Sequence, residues 1–140
     1  MKIYLAGGMR PRPERPYTTP HFFTKILDSF DSWQDAVRWA MSKDNSFFDP
    51  RQSDTKVFED YSFLDLMALR QCDLVIAYLE AENPSGMGLA AEIAFAKGLG
   101  KTVLLVNEQS DNRYVKFIEN FADRVLTNLA EAMPLISKIR

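Results

Sequence analysis

Short apolar runs with strand-like composition alternate with stretches of helical apolar spacing along most of this 140-residue chain. The clearest run is 73–79 (Asp-Leu-Val-Ile-Ala-Tyr-Leu), which is apolar almost throughout, as a central strand of a parallel sheet would be. Other strand-like runs occupy 2–6, 47–49, 102–106 and 125–126, the last as a short edge strand. The alternation predicts a single α/β domain over 1–140, with a doubly wound parallel sheet of about five strands and helices on both faces.

Helical spacing fills the segments between these strands. We expect helices over 21–30, from the capping Ser32 to about Met41, over 56–72, over 112–121 and over 128–139. A further helix that carries Glu92 should follow the loop 80–85 and stop at Gly98 and Gly100. A loop is expected over 9–20, because that stretch holds four of the seven prolines. Ligands of such sheets bind outside the carboxyl ends of the strands at the topological switch point, so the turns 7–8 and 83–88 should border the ligand.

Composition excludes several classes of function. Hydrophobic residues make up 46% of the chain and the formal net charge is −2, so nothing indicates a surface for polymeric nucleic acid. A single cysteine, Cys72, and a single histidine, His21, exclude an intrachain disulfide and any metal site rich in cysteine or histidine. The chain shows no signal-peptide core and no apolar run of transmembrane length. We therefore expect no membrane partner and a cytoplasmic location.

Glu92 is the only charged residue in the segment 86–96. On a helix, its neighbours at i±3 and i±4 are small or apolar: Gly88, Leu89, Phe95 and Ala96. A carboxylate in such surroundings is costly unless it is paired or used, because burial disfavours the charged form. The alternative is a tolerated glutamate near the start of a helix, stabilised by the helix dipole.

Two further polar residues accompany Glu92. Asp65 lies beside the apolar stripe of the helix predicted over 56–72, and the alternative is a solvated residue at the edge of that stripe. Tyr4 faces the opposite side of its strand from Ile3 and Leu5, so its hydroxyl could bond a carboxylate across the crevice. The alternative for Tyr4 is a core aromatic ring with an exposed hydroxyl.

Two glycine-containing turns, Gly7-Gly8 and Gly86-Met87-Gly88, would let the backbone approach a ligand closely. The second turn could also present helix N-terminal amides to an anion. Neither turn forms a dinucleotide fingerprint or a P-loop, so ordinary tight turns are the alternative. The loop residues Met9 or Arg10, after Gly8, and Asp49, after the second strand, could border the substrate, although plain loop and turn roles remain open for them.

Several segments resemble the nucleoside 2-deoxyribosyltransferase family. They are the run from Lys2 to Gly8, Asp65 placed eight residues before Asp73, the run 72–78, and the run 88–101 with its Gly-x-x-x-Glu and Gly-Lys elements. The last run and the strand before it are the specific part. The resemblance covers the start of the chain and roughly residues 57–107.

The resemblance implies a flavodoxin-like domain that acts on the N-glycosidic bond of a small-molecule nucleoside or nucleotide. The family's glutamate nucleophile maps onto Glu92, an aspartate near the substrate onto Asp65, and a tyrosine that holds the nucleophile onto Tyr4. Asp73 opens its strand in the family as it does here, and we interpret it as structural. The resemblance implies no metal or organic cofactor, and because family members are oligomers we expect at least a homodimer.

Two features depart from the family pattern. Gly86 stands where the family has a substrate-contacting aspartate six residues before the nucleophile, and the C-terminal segment that completes a neighbour's site in some members is not recognisable.

The leading hypothesis for the function is a deoxyribosyltransferase or N-glycoside hydrolase. The other hypothesis is a non-catalytic nucleotide-binding or sensor domain on the same scaffold. A receiver domain is disfavoured because the first strand ends in Gly-Gly and the 73–79 strand is followed by Glu80.

Overall fold

The computed structural model describes residues 1–8, 27, 29–41, 43–52, 58–81 and 86–139 of the chain. Its strands are β1 (Lys2–Gly7), β2 (Ser46–Phe48), β3 (Leu74–Leu79), β4 (Thr102–Asn107) and β5 (Arg124–Leu126). Its α-helices are α1 (Trp33–Ala40), α2 (Phe58–Gln71), α3 (Met87–Gly98), α4 (Arg113–Lys116) and α5 (Leu129–Ile136). Two 3-10 turns occupy Pro50–Gln52 and Phe117–Phe121.

All strand pairings within the described residues are parallel, and they join five strands in the order β2-β1-β3-β4-β5. This is the flavodoxin-like order, in which the chain first moves outward from β1 to β2 and then crosses to β3 on the other side. The direction of winding therefore reverses between β1 and β3. The predicted parallel sheet of about five strands is confirmed, and the switch point lies between these two strands.

The sheet is covered on both faces because alternate strand residues point to opposite sides. Ile3, Leu5 and Ile76 pack on one side in a cluster that includes residues of α1 and α5. Tyr4, Ala6 and Val75 pack on the other side against residues of α2 and α3. All six residues of β3 are buried, as expected for a central parallel strand.

Two of the predicted helices differ from the structure. The segment predicted as a helix over 112–121 is a single α-helical turn, capped by Asn112, that continues as a 3-10 turn. Only Ile118 is buried along it, so the segment has no apolar stripe that a longer helix would bury. The last helix ends at Ile136 rather than near residue 139. The loop predicted over 9–20 and nearly all of the helix predicted over 21–30 lie outside the described residues.

Polar groups fix the amino-terminal edge of the sheet. The carboxylate of Asp73 accepts a hydrogen bond from the backbone amide of Lys2 at 2.7 Å, which ties the start of β3 to the start of β1.

The neighbouring Cys72 is buried, and burial raises the pKa of its thiol. Among the described residues, no helix combines the length and the hydropathy that crossing a membrane requires.

Candidate active site

The carboxyl ends of β1 and β3 lie side by side, with Gly7 paired to Tyr78. Helix α1 begins beside the end of β1, where its first-turn side chains bond Gly8. Helix α3 begins a few residues after β3, at Met87. The two glycine-containing turns predicted to border a ligand therefore follow the two strands that define the switch point.

Tyr4 lies in the middle of β1 and is fully buried. Its ring stacks on Phe48 of β2 with centroids 5.3 Å apart and an interplanar angle of 15°. Its hydroxyl group interacts with the carboxyl group of Glu92 and lowers the pKa of Glu92. Tyr4 is thus a core residue whose hydroxyl influences the Glu92 carboxyl group, and the hydrogen bond that its strand position predicted stays a prediction.

Asp65 lies on the inner side of α2 and is only 6% exposed. Burial raises the pKa of its carboxyl group from the ordinary value to about 6. Within the described part of the chain, no donor bonds its buried Oδ1 atom. Asp65 is therefore a desolvated acid, and the alternative of a solvated residue at the edge of the stripe is wrong for this position.

Glu92 lies on α3 among the apolar residues that its helical spacing predicted, with Leu89 and Ala96 buried beside it. Its Oε2 atom is buried and bonds no donor of the described residues. Burial, the largest influence, and the nearby Asp65 carboxyl group both raise the pKa of its carboxyl group, and Tyr4 lowers it; the net pKa is about 8. The three residues predicted as catalytic are thus brought together in one cluster.

This cluster holds two carboxyl groups whose pKa values lie well above those of free acids. Two carboxyl groups that repel each other release their protons in separate steps, so the pair carries one proton over the pH range between those steps. A pair in that state contains one nucleophilic carboxylate and one proton donor, which is the arrangement used at glycosidic bonds.

Gly86 adopts the left-handed conformation, with φ 59° and ψ 9°, at the N-cap of α3. A β-carbon there would also lie 3.0 Å from a methyl group of Leu79, so the position favours glycine on both counts. Met87 and Gly88 are exposed at the first turn of the helix. Helix N-termini present amides without intrahelical partners, so this turn offers donors at the carboxyl edge of the sheet.

Asp49 is buried at the end of β2, but its carboxylate is occupied within the protein. Its Oδ1 accepts from the backbone amide of Arg51 at 3.0 Å, and Arg51 Nε lies 3.0 and 2.9 Å from its two oxygens. Arg38 Nη2 lies 3.4 Å from Oδ2, and hydrogen bonding to Asp49 raises the pKa of Arg51. The substrate contact suggested for Asp49 stays a prediction, and the structure shows it joining α1 to the 3-10 turn. Met9 and Arg10 lie outside the described residues.

Sequence reasoning missed Trp33 and Gln34, whose side chains bond the carbonyl oxygen of Gly8. The topology of the sheet could have indicated these two residues. A helix that connects two parallel strands runs antiparallel to them, so it begins at the carboxyl edge of the strand it follows. The residues directly after the capping Ser32 were therefore candidates for contact with the Gly7-Gly8 turn.

The fold and the site define a flavodoxin-like α/β protein with a buried carboxyl pair beside its switch point. The sequence model of the nucleoside 2-deoxyribosyltransferase family matches residues 3–124, and the chain belongs to that family. It is accordingly an enzyme of the type that cleaves or transfers at the N-glycosidic bond of small-molecule nucleosides.

The structure is similar to that of the CMP N-glycosidase BcmB from Clostridium botulinum, with a TM-score of 0.64 and 14% sequence identity. The similarity covers 99% of this chain and 100% of the clostridial chain. At this identity the likeness establishes the fold. A comparison with curated proteins found no match.

Proposed function

We propose that this protein cleaves the N-glycosidic bond of a nucleoside or nucleotide through a covalent glycosyl-enzyme, with Glu92 as the nucleophile and Asp65 as the proton donor. The observation that carries the proposal is the position of Glu92. Its Oε2 atom is buried without a hydrogen-bond partner among the described residues, next to a second desolvated carboxyl group and a tyrosine hydroxyl. A purely structural glutamate would have its oxygens paired or solvated.

When the bond from C1′ to the base nitrogen breaks, its electron pair goes to the nitrogen, and the proton of Asp65 neutralises the leaving base. Positive charge develops at C1′, and the Glu92 carboxylate first stabilises that charge and then bonds to C1′. Tyr4 lowers the pKa of Glu92 and so favours its ionised form. A water molecule or a second base then attacks C1′ and releases Glu92, while the Asp65 carboxylate accepts the proton of the attacking group.

Family membership supports action on a small-molecule nucleoside, and the fold shared with a CMP N-glycosidase makes a nucleotide a reasonable candidate substrate. The acceptor in the second step distinguishes transfer from hydrolysis. Gly86 replaces the acidic residue expected at that position, so base recognition in this chain relies on other groups.

The test is incubation of the purified protein with 2′-deoxyadenosine, 2′-deoxycytidine, cytidine and CMP, each with and without a second free base. Exchange of the base indicates a transferase, and free sugar or ribose 5-phosphate indicates a hydrolase. We expect base release from at least one substrate, its loss in Glu92→Ala and Glu92→Gln, and its retention in Glu131→Gln, which changes an exposed glutamate on α5.

Mass spectrometry of a rapidly quenched reaction should detect a glycosyl adduct on the peptide that contains Glu92. Base release at the parental rate in Glu92→Ala would exclude Glu92 as the nucleophile. Tight nucleotide binding without either product would instead support the non-catalytic sensor as the function.

A further inference from the structure

The carbonyl oxygen of Gly8 accepts two side-chain hydrogen bonds from the first turn of α1. Gln34 Nε2 donates at 3.1 Å and Trp33 Nε1 at 3.4 Å, although both residues are about 25 positions away along the chain. Trp33 is 5% exposed and Gln34 is 1% exposed, so both donor side chains are buried, and the acceptor Gly8 is half-buried. Two directional donors on one carbonyl fix the orientation of the peptide group that follows β1.

The preceding residue, Gly7, is held by packing as well. A β-carbon on Gly7 would lie 2.8 Å from the Trp33 ring and 2.8 Å from the carbonyl oxygen of Tyr78, so the indole lies directly against this backbone. The Trp33 and Tyr78 rings meet edge to face with centroids 5.4 Å apart. The Tyr78 hydroxyl donates to Glu108 at 2.8 Å, which continues the support to the end of β4. The turn is thus held from α1, β3 and β4.

The amide oxygen of Gln34 shows what the side chain contributes. Oε1 of Gln34 is buried and bonds no donor of the described residues, which is unfavourable for a polar group. An apolar side chain of the same size would fill the space without that cost. The hydrogen bond from Nε2 to Gly8 is therefore the one polar contact of this amide in the described part of the protein, and it accounts for a buried glutamine at this position.

We infer that Trp33 and Gln34 are positioning residues: they hold the Gly7-Gly8 turn in place as one wall of the substrate site and thereby set substrate affinity. The inference rests on the proposed function and adds residues to it. Trp33 packs on the face of the sheet covered by α1 and α5, whereas the Glu92 helix packs on the opposite face. Loosening the turn should therefore raise KM and leave the carboxyl pair, and with it kcat, nearly unchanged.

Two matched pairs of variants test this role. Gln34→Met removes the donor and keeps the side-chain volume, and Gln71→Met makes the same change at an exposed position at the end of α2. Trp33→Phe removes the indole N–H and retains a ring, and Trp39→Phe does so at a side chain that is 59% exposed. We expect KM to rise roughly tenfold in Gln34→Met and Trp33→Phe, with kcat within about twofold of the parent, because a lost interior hydrogen bond has about that effect.

Both controls should keep the parental KM, and melting temperatures of all four variants report whether they fold. An unchanged KM in folded Gln34→Met and Trp33→Phe overturns the inference. A loss confined to kcat also overturns it, because that result assigns the residues to the chemical step.

Fluorescence separates this inference from the proposed function. The chain has two tryptophans, so Trp39→Phe leaves Trp33 as the only indole, in contact with the turn. In a Glu92→Gln, Trp39→Phe protein, titration with CMP, cytidine, 2′-deoxycytidine and 2′-deoxyadenosine should change the Trp33 emission, and adding Gln34→Met should weaken that binding roughly tenfold. No response to any of these ligands, or a response unaffected by Gln34→Met, overturns the inference even if the parent releases base. A response without base release by the parent overturns the proposed function alone.

Discussion

The carboxyl group of Asp65 raises the pKa of Glu92 beyond the effect of burial. Asp65 itself has its pKa raised to about 6 by burial, and that of Glu92 reaches about 8. Between these values the two groups together hold one proton. These values place that proton mainly on Glu92. Tyr4 lowers the pKa of Glu92 and so raises the share of the other form, in which Glu92 is ionised to attack C1′ and Asp65 is protonated to supply the leaving base.

The dependence of kcat/KM on pH should be bell-shaped. Below about pH 6 both carboxyl groups are protonated and the nucleophile is lost, whereas above about pH 8 both are ionised and the proton donor is lost. We expect a maximum near neutral pH in initial-rate measurements of base release between pH 4.5 and 9.5. A rate that keeps rising through pH 9 would show that no carboxyl proton is needed.

Asp65→Asn should lower the pKa of Glu92, because the substitution removes the carboxylate that opposes its ionisation. It also removes the proposed proton donor, so kcat/KM should fall by roughly 10²–10⁴ and the alkaline limb of the pH profile should disappear. Asp111→Asn, at an exposed turn, provides the matched control and should behave as the parent. A substrate whose leaving group departs as an anion, such as a 4-nitrophenyl deoxyriboside, needs no proton donor. Asp65→Asn should cleave it with little loss of kcat/KM. If Asp65→Asn lost as much kcat/KM on the nitrophenyl substrate as on the nucleoside, Asp65 would not be the general acid.

Tyr4→Phe should raise the pKa of Glu92, because the hydroxyl group stabilises the carboxylate. The ring remains stacked on Phe48, so the melting temperature should change little. Carbon-13 NMR of the Glu92 carboxyl carbon measures the pKa directly, and Tyr114→Phe, at a ring that is 81% exposed, should leave that pKa unchanged. An identical titration in Tyr4→Phe and the parent would contradict the proposed role of the hydroxyl.

Gly7→Ala should destabilise the protein and weaken substrate binding. The added methyl group meets the Trp33 ring and the Tyr78 carbonyl oxygen at 2.8 Å, and the carbonyl belongs to the sheet backbone, which cannot move aside easily. Forcing an extra carbon into such a contact costs about 1–3 kcal/mol. Gly98→Ala is the matched control, because no atom lies within 4 Å of a β-carbon there. Chemical denaturation of both variants gives the comparison, and equal stabilities would mean that the turn shifts freely.

Much of the fold follows from local patterns. The buried run 74–79 and the alternation of strands and helices predict a parallel sheet, because each element must bury one stripe or two faces. The apolar neighbours of Glu92 are equally local, since they lie one helical turn away. These features depend on positions three or four residues apart, and a single sequence displays them.

The rest depends on contacts between distant residues. The bonds from the Trp33 and Gln34 side chains to the Gly8 carbonyl, and the contact of Arg51 with Asp35, join residues 16 to 26 positions apart that share no periodicity. The ion pairs of Asp49 with two arginines cannot be predicted from the sequence for the same reason, because each residue alone resembles an exposed charge. Asp65 was ambiguous because its position at the edge of a stripe fits both a solvated and a buried side chain, and only the packing of α2 on the sheet decides.

Glu92→Gln should stabilise the protein, and the gain should depend on pH. In the unfolded chain Glu92 ionises near its ordinary pKa of 4.5, but in the folded protein it ionises only near pH 8. Below about pH 4.5 the carboxyl group is neutral in both states and the variant gains nothing. As the pH rises toward 8, ionisation increasingly favours the unfolded parent, and the stability advantage of Gln should grow to about 4 kcal/mol. Glu131→Gln, at an exposed glutamate, should show no such trend. Urea unfolding at pH 5 and pH 8 measures both differences, and a gain that is the same at the two pH values would mean that Glu92 ionises in the folded protein as easily as in water.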